Sequence, residues 1–214
     1  MKKSRNLLVA VLLVVLASSI VSARDYVCYI LEDAQVYQTN PDTTFNRTWH
    51  ETWDAPGYKR FAFFKFDFPR VSRNEEIESI TFSIENYING DHEDVDEHFI
   101  YFCSDNKWSE ETITWRNAPL DDISDEPIGS HEMGKKGWVN FDITPLKDLA
   151  KPGTTTTIVL MQDNNLPARP YTAWYSREIS YAVPYITVKT KTGKESSGTS
   201  AGNEGKIIGK IIEK

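Results

Sequence analysis

The chain has 214 residues, of which 24 are Lys or Arg and 31 are Asp or Glu, so its formal net charge is −7 at pH 7. Residues 1–23 contain three of the basic residues and none of the acidic ones, which leaves the remainder at a formal charge of −10. Such an acidic surface disfavours nucleic acid, anionic lipid and strongly anionic polymers as partners.

The N-terminal segment has the organisation of a secretory signal. The basic residues 1–5 precede the apolar run 7–16, which is shorter than the ~20 apolar residues that a membrane-spanning helix needs. Ala23 and Val21 occupy the last and third-last positions before a cleavage site after Ala23. The sequence therefore predicts a signal peptide at residues 1–23 and a secreted or cell-surface product, with an uncleaved anchor as the alternative. We expect no membrane span after the cleavage site, because no later apolar run is long enough.

Export has two chemical consequences for the rest of the chain. In an oxidising compartment the two cysteines, Cys28 and Cys103, are expected to form one disulfide, with two separate buried thiols as the alternative. In a eukaryotic host, Asn46 of the sequon Asn46-Arg47-Thr48 would accept a glycan.

From Tyr26 onward, short β-branched and aromatic segments alternate with turn-forming residues, a pattern typical of an all-β protein. Strands are predicted at residues 26–31, 34–38, 60–67, 77–88, 98–104, 112–115, 138–143, 156–162, 172–175 and 185–190, and a helical turn at 145–149. About ten strands favour a two-sheet antiparallel β-sandwich of jelly-roll type over residues 24–190. Residues 191–214 have the composition of a flexible C-terminal tail.

The sequence contains no nucleophile elbow, zinc signature, phosphate loop or dinucleotide loop, so we predict that the protein is not an enzyme. Paired carboxylates of a glycoside hydrolase or lyase remain an alternative, since their separation is a property of the fold.

Aromatic side chains point to a binding function instead. Trp and Tyr rings can stack on the apolar faces of sugars, while nearby polar groups bond the hydroxyls. Trp49, Trp53 and Tyr58 lie in a polar, loop-like segment and are the first candidates for such contacts. Tyr171, Trp174 and Tyr175 are further candidates, whereas Trp108 and Trp115 are expected in the core.

The segment Trp108-Ser109-Glu110-Glu111-Thr112-Ile113-Thr114-Trp115-Arg116-Asn117-Ala118-Pro119 resembles the signature of the DNRLRE-type domain. That domain is a secreted jelly-roll carbohydrate-binding module with alginate-binding and disaggregatase-related members. The other landmarks follow in the family's order: Asp33-Ala34, residues 40–45, 60–68, 77–84 and 138–146, Ser176-Arg177-Glu178 and residues 184–188. The resemblance covers nearly all of residues 26–190. Asn46 and Ile80 depart from the family's usual glycine and alanine.

The resemblance implies a non-catalytic module that binds polysaccharide at cell walls or matrices. A polyuronate such as alginate would need basic contacts, so the acidic chain favours a neutral glycan or another surface polymer. The alternative is a structural or adhesive surface protein that contacts other surface proteins and no sugar. The resemblance also implies a structural calcium ion, with Asp33 and Glu178 as ligands; ordinary salt bridges to Arg60 or Arg177 are the alternative. No other cofactor is expected.

Overall fold

The computed structural model describes residues 24–88, 96–133, 136–163 and 172–192 of the chain. The predicted signal peptide with its cleavage site after Ala23, the candidate Tyr171 and residues 193–214 of the predicted tail lie outside these ranges. Within them, no helix has both the length and the apolarity that a membrane crossing requires.

Ten antiparallel strands and two short 3₁₀ turns form the described part of the chain. The strands are β1 (Arg24–Tyr37), β2 (Trp49–Thr52), β3 (Arg60–Asp67), β4 (Glu75–Ile88), β5 (Asp96–Cys103), β6 (Gly129–Met133), β7 (Gly137–Asp142), β8 (Thr155–Asp163), β9 (Thr172–Tyr175) and β10 (Tyr185–Thr192). The 3₁₀ turns are Leu120–Asp122 and Thr144–Asp148, and the second confirms the predicted helical turn.

The strand β1 connects the two layers of the fold. Its first half pairs with β10 and its second half with β3, and a β-bulge between Ile30 and Glu32 separates the two registers. Such a bulge bends the strand. The hydrogen-bonded order is β2-β9-β4-β10-β1-β3-β8-β5-β6, and β7 also pairs with β4. We call β2, β9, β4, β7, β10 and the first half of β1 the front sheet; the rest is the back sheet.

The front and back sheets face each other across one hydrophobic core, which confirms the predicted antiparallel β-sandwich. Phe64 of the back sheet and Phe82 of the front sheet are fully buried, and their ring centroids lie 5.2 Å apart. In β4 the buried Phe82 and Ile84 alternate with the less buried Thr81 and Glu85, as expected for a strand with one face inside. Each such apolar side chain contributes roughly 1.5–3 kcal/mol by leaving water.

A second, smaller core lies on the outer face of the back sheet. It consists of the buried side chains of Ala34, Val36, Phe61, Phe63, Cys103, Trp108, Ile113 and Val159. The loop at residues 104–123 covers it with Trp108, whose Nε1 donates a hydrogen bond to Thr157 Oγ1 at 3.1 Å. Lys65 Nζ donates to the main-chain oxygen of Trp108 and lies 4.3 Å from its ring centroid. The tryptophan motif that carries the family resemblance therefore closes one face of the sandwich.

The strands of the structure differ from the predicted ones in several places. Residues 112–115 form a turn rather than a strand, because the Thr112 and Ile113 amides donate to Ser109 O and Asn117 Oδ1 accepts from the Thr114 amide. The two predicted strands at 26–31 and 34–38 are one strand that passes through the bulge. The strand β10 ends at Thr192, two residues into the predicted tail. Two polar strands, β2 and β6, were not predicted at all.

The predicted disulfide was wrong as well, because Cys28 and Cys103 are separate thiols. Cys28 packs against the core between the sheets. Cys103 belongs to the second core, on the opposite face of the back sheet. Because the back sheet separates them, the two sulfurs cannot meet in the folded chain.

Candidate functional site

The loop that follows β2 presents one pair of the candidate aromatic residues. Trp53 and Tyr58 stack with ring centroids 5.7 Å apart and an interplanar angle of 26°. The turn between them needs Gly57, which has a φ of +79°, so that the Tyr58 amide can donate to Ala55 O at 2.8 Å. Trp53 is half-buried and Tyr58 is 54% exposed.

Arg60 limits what this pair can offer to a ligand. Its guanidinium carbon lies 5.0 Å from the Trp53 ring centroid and 4.4 Å from that of Tyr37, and its Nη1 pairs with Glu51. Burial and the hydrogen bond from Tyr37 to Glu51, at 2.5 Å, raise the pKa of Tyr37 well above its ordinary value. This buried network holds Trp53 in place, so Tyr58 is the more accessible ring of the pair.

Trp49 belongs to a different group of aromatic residues, on the front sheet. Its ring lies 6.2 Å from that of Tyr87 in an edge-on contact, and Tyr87 stacks on Tyr175 at 4.8 Å and 19°. Tyr181, which is 72% exposed, contacts the edge of Tyr175 at 5.6 Å. Cross-strand pairing sets this arrangement, because Trp49 of β2 lies directly opposite Tyr175 of β9.

The candidate Trp174 does not lie on this surface. It is 0% exposed, packs in the core between the sheets, and donates from Nε1 to Thr52 Oγ1 at 3.0 Å. Its neighbour Tyr175 points the opposite way because side chains alternate along a strand. Trp174 is therefore a core residue and cannot act as a stacking surface for a sugar. The predicted core position of Trp108 is confirmed, and Trp115 is half-buried against Phe61 at 5.4 Å.

Sequence reasoning missed a second aromatic group on the outer face of the front sheet. Trp138 of β7 is 46% exposed and lies 5.6 Å from Tyr185 of β10, measured between ring centroids. Tyr29 of β1, which is 65% exposed, lies opposite Tyr185 in the register. Strand phase could have found them, because Val139 is a core residue and its neighbour Trp138 must then face outward.

The hydroxyl of Tyr175 stays neutral over the physiological range. A hydrogen bond with Tyr181 raises the pKa of Tyr175 to about 12, with smaller contributions from desolvation and from the charge of Glu85. A neutral phenol can both donate and accept hydrogen bonds. The outward side of the front sheet therefore combines apolar aromatic rings with polar groups at the edges of those rings.

Three carboxylates meet near the start of the back-sheet half of β1. Asp33 and Glu178, the two candidate calcium ligands, lie with Glu110 so that their carboxylate oxygens are within 4.8 Å of one another. Glu110 comes from the tryptophan motif and was not predicted. Asp33 is fully buried and its Oδ2 accepts from the Arg177 amide at 2.8 Å.

Arg177 neutralises much of this cluster. Its guanidinium donates to Glu110 at 2.5 and 3.1 Å and lies 3.3 Å from Glu178 Oε1. The hydrogen bonds to Glu110 raise the pKa of Arg177. The salt bridge to Arg177 is therefore present, whereas Arg60 pairs with Glu51. Oxygen donors of this kind suit calcium, and the ion would compete with the Arg177 guanidinium for them.

The predicted glycan acceptor Asn46 is exposed, as an acceptor must be. The neighbouring Phe45 is buried against Tyr37, with ring centroids 4.1 Å apart. Phe45 thus fixes the start of this loop and leaves Asn46 at the surface.

Comparison with known proteins gives one family. The model of carbohydrate-binding module family 96 matches residues 27–190. This range begins within β1 and ends within β10. It includes both aromatic groups of the front sheet and the loop pair Trp53 and Tyr58. No curated protein matches the chain in sequence.

Proposed function

The chain belongs to carbohydrate-binding module family 96, and from this premise we propose that it is exported and binds a polysaccharide without transforming it. The observation that carries the proposal is the family match over residues 27–190, which spans nearly all of the described sandwich. Exposed tryptophan and tyrosine rings within that range supply the kind of contact that sugars need.

The net acidity of the chain supports a neutral glycan rather than a polyuronate. A polyanion would be repelled by a chain whose formal charge is −7 even with its first 23 residues attached.

Binding is tested by retention of the full chain in gels that contain one polysaccharide each. We expect retention by at least one neutral polysaccharide and no release of reducing ends over hours of incubation. Absence of retention across a broad panel would contradict a sugar-binding function. Release of reducing ends or unsaturated products at catalytic rates would favour the lyase or hydrolase alternative.

Export is tested separately, by expressing the full chain and sequencing the N-terminus of the product. We expect Arg24 as the first residue, because the cleavage pattern ends at Ala23. A product that stays in the membrane fraction with Met1 intact would support the uncleaved anchor.

Calcium is the second part of the proposal. We propose that a calcium ion bridges Asp33, Glu110 and Glu178 and stabilises the fold. The convergence of three carboxylates from distant segments of the chain supports it. Because calcium takes six to eight oxygen ligands, water or main-chain oxygens would complete its shell.

A further inference from the structure

The two outer faces of the sandwich differ in how they are covered. On the back sheet, the second core and the loop at residues 104–123 cover the strands with apolar side chains such as Trp108 and Ile113, which are buried. On the front sheet, outward-facing aromatic side chains remain accessible to solvent. We call the outward-facing side of the front sheet the open face.

The open face carries its aromatic residues in two groups. The first consists of Trp49, Tyr87, Tyr175 and Tyr181, and the second of Trp138, Tyr185 and Tyr29. The strand β4 connects them, because Glu85 lies opposite Trp138, and Tyr87 stacks on Tyr175. The second group spans β7, β4, β10 and β1, which is about 14 Å at the usual spacing between strands. An aromatic surface of this size is larger than a single small molecule needs.

Polar side chains lie between the rings. Ser83 is opposite both Tyr185 and Asn140 in the register, and its Oγ donates to Asn140 Oδ1 at 2.7 Å. Asn140 is exposed and keeps its amide nitrogen for other partners. The phenols of Tyr175 and Tyr181 add groups that can donate and accept. These groups can donate hydrogen bonds to the hydroxyls of a sugar and accept hydrogen bonds from them.

The charges on the open face select against acidic sugars. Across the outward positions Thr81–Tyr87 of β4, Trp138–Asp142 of β7 and Tyr185–Thr187 of β10, the charged side chains are the carboxylates of Glu85 and Asp142. Lys189 of β10 lies on the same outward side and faces Asp25 of β1 across the strand pair, and Lys191 pairs with Glu76 at 3.6 Å. A polyuronate or a sulfated glycan would place its charges beside carboxylates, whereas a neutral chain would not.

We propose that the open face binds an extended chain of a neutral polysaccharide across the two aromatic groups, an inference that rests on the proposed sugar-binding function. The loop pair Trp53 and Tyr58 lies outside this binding surface. The sugar rings stack on Trp138 and Tyr185 of one group and on Tyr175, Tyr181 and Trp49 of the other, and their hydroxyls bond the polar groups between them.

The proposal is tested with two variants of the open face and one matched control. Trp138→Ala and Tyr181→Ala each remove one exposed ring from the open face, and Tyr58→Ala removes one exposed ring from the loop pair. The full chain and the three variants are compared by affinity electrophoresis in hydroxyethyl cellulose, arabinoxylan, galactomannan and alginate. Loss of one stacking contact worth roughly 1.4 kcal/mol lowers affinity about ten-fold. We expect that loss for both open-face variants and a change of less than about two-fold for Tyr58→Ala.

Each other result has a defined meaning. If the wild-type chain is retained and only Tyr58→Ala loses affinity, the open face is not the binding surface, while the proposed function stands. Retention by alginate alone would overturn the neutral class of ligand. If no polysaccharide retains the wild-type chain, both proposals fail. If Trp138→Ala or Tyr181→Ala converts a dimer to a monomer in sedimentation without affecting retention, a second copy of the chain occupies the face instead. Thermal unfolding of each variant shows whether the fold is intact.

Discussion

At the scale of single residues, buried charge is matched by partners that come from distant segments. Lys65 is buried in the middle of β3, and its Nζ donates to Glu32 Oε1 at 2.7 Å. Glu32 Oε2 in turn accepts from the Glu110 amide at 3.0 Å. Partial burial opposes ionisation of Glu32, yet the bonds from Lys65 and Glu110 dominate and lower its pKa below the ordinary 4.5. The carboxylate thus links β1, β3 and the tryptophan motif.

The first prediction concerns the pH dependence of this link. Because folding lowers the pKa of Glu32, the unfolded chain binds more protons as the pH falls below 4.5, so the stabilisation is complete above that value and is lost below it. We expect Glu32→Gln to lower the free energy of unfolding by about 1–2 kcal/mol at neutral pH, with a smaller difference near pH 3. Urea unfolding at both pH values measures it, with the exposed Glu111→Gln as control. An equal difference at both pH values would contradict the ionic role.

The second prediction concerns calcium at Asp33, Glu110 and Glu178. A ligand that binds only the folded state at one hundred times its dissociation constant stabilises by about 2.7 kcal/mol. We therefore expect calcium to raise the melting temperature of chelator-treated protein by several degrees. Glu178→Gln should reduce this rise, and Glu111→Gln should leave it unchanged. Identical melting in calcium and in chelator would show that Arg177 alone neutralises the carboxylates.

At the scale of elements, the sequence predicts strands well where alternation decides burial. β3 and β9 have the predicted bounds, and β4, β7, β8 and β10 differ by no more than two residues at either end. β2 was missed because Trp49-His50-Glu51-Thr52 is polar, and its contacts with distant segments form only in the fold. Thr52 accepts from Trp174, and His50 Nε2 lies 3.2 Å from Asp33 Oδ1. No local pattern reveals such partners.

The residues of the candidate site could likewise be predicted only where a local sequence pattern indicates them. Trp49, now on the open face, and Tyr58, in the exposed loop pair, were both chosen because they lie in a polar, aromatic-rich segment, which is a local signal. Trp138 and Tyr185 were passed over, although the alternation of Trp138 with the apolar Val139 indicates an outward position. Trp174 and Tyr175 were both chosen, although only Tyr175 faces outward, since alternation fixes that the two point opposite ways but not which one is inside.

The third prediction tests the tryptophan motif as a cover of the back sheet. Trp108 is buried, bonds Thr157 and meets Phe63 edge-on at 5.8 Å. Trp108→Ala should therefore cost about 3–5 kcal/mol in the free energy of unfolding. Trp108→Phe keeps an aromatic ring and should cost less, since it loses mainly the hydrogen bond. Chemical denaturation measures both, and a loss below about 1 kcal/mol for the alanine variant would contradict a structural role.

Retention of the Trp108→Phe variant by a polysaccharide gel distinguishes a structural role of the tryptophan motif from a role in sugar binding. We expect Trp108→Phe to bind as the wild-type chain does, because the motif covers the back sheet while the open face lies on the front sheet. A selective loss of retention in a stably folded Trp108→Phe variant would place the sugar at the motif instead.

At the scale of the whole molecule, the side chains form three layers: the core between the sheets, the second core and the open face. The core between the sheets and the second core hold the fold together, and the aromatic side chains of the open face remain accessible to solvent. The bulge in β1 makes this division possible, because one strand belongs to both sheets and fixes their relative position. A disulfide between Cys28 and Cys103 would have to join the two cores through the back sheet.

The fourth prediction is that the folded protein keeps two unreactive thiols even in an oxidising medium. Burial is the main cause that raises the pKa of both Cys28 and Cys103 to about 11, so very little thiolate exists at neutral pH. We expect slow alkylation by iodoacetamide in buffer, rapid alkylation of both thiols in denaturant, and no effect of reductant on the melting temperature. The denatured chain serves as the control, since oxidation there should join the two cysteines and hinder refolding. A native disulfide found by mass spectrometry, or a melting temperature lowered by reductant, would show that the back sheet does not separate the two sulfurs.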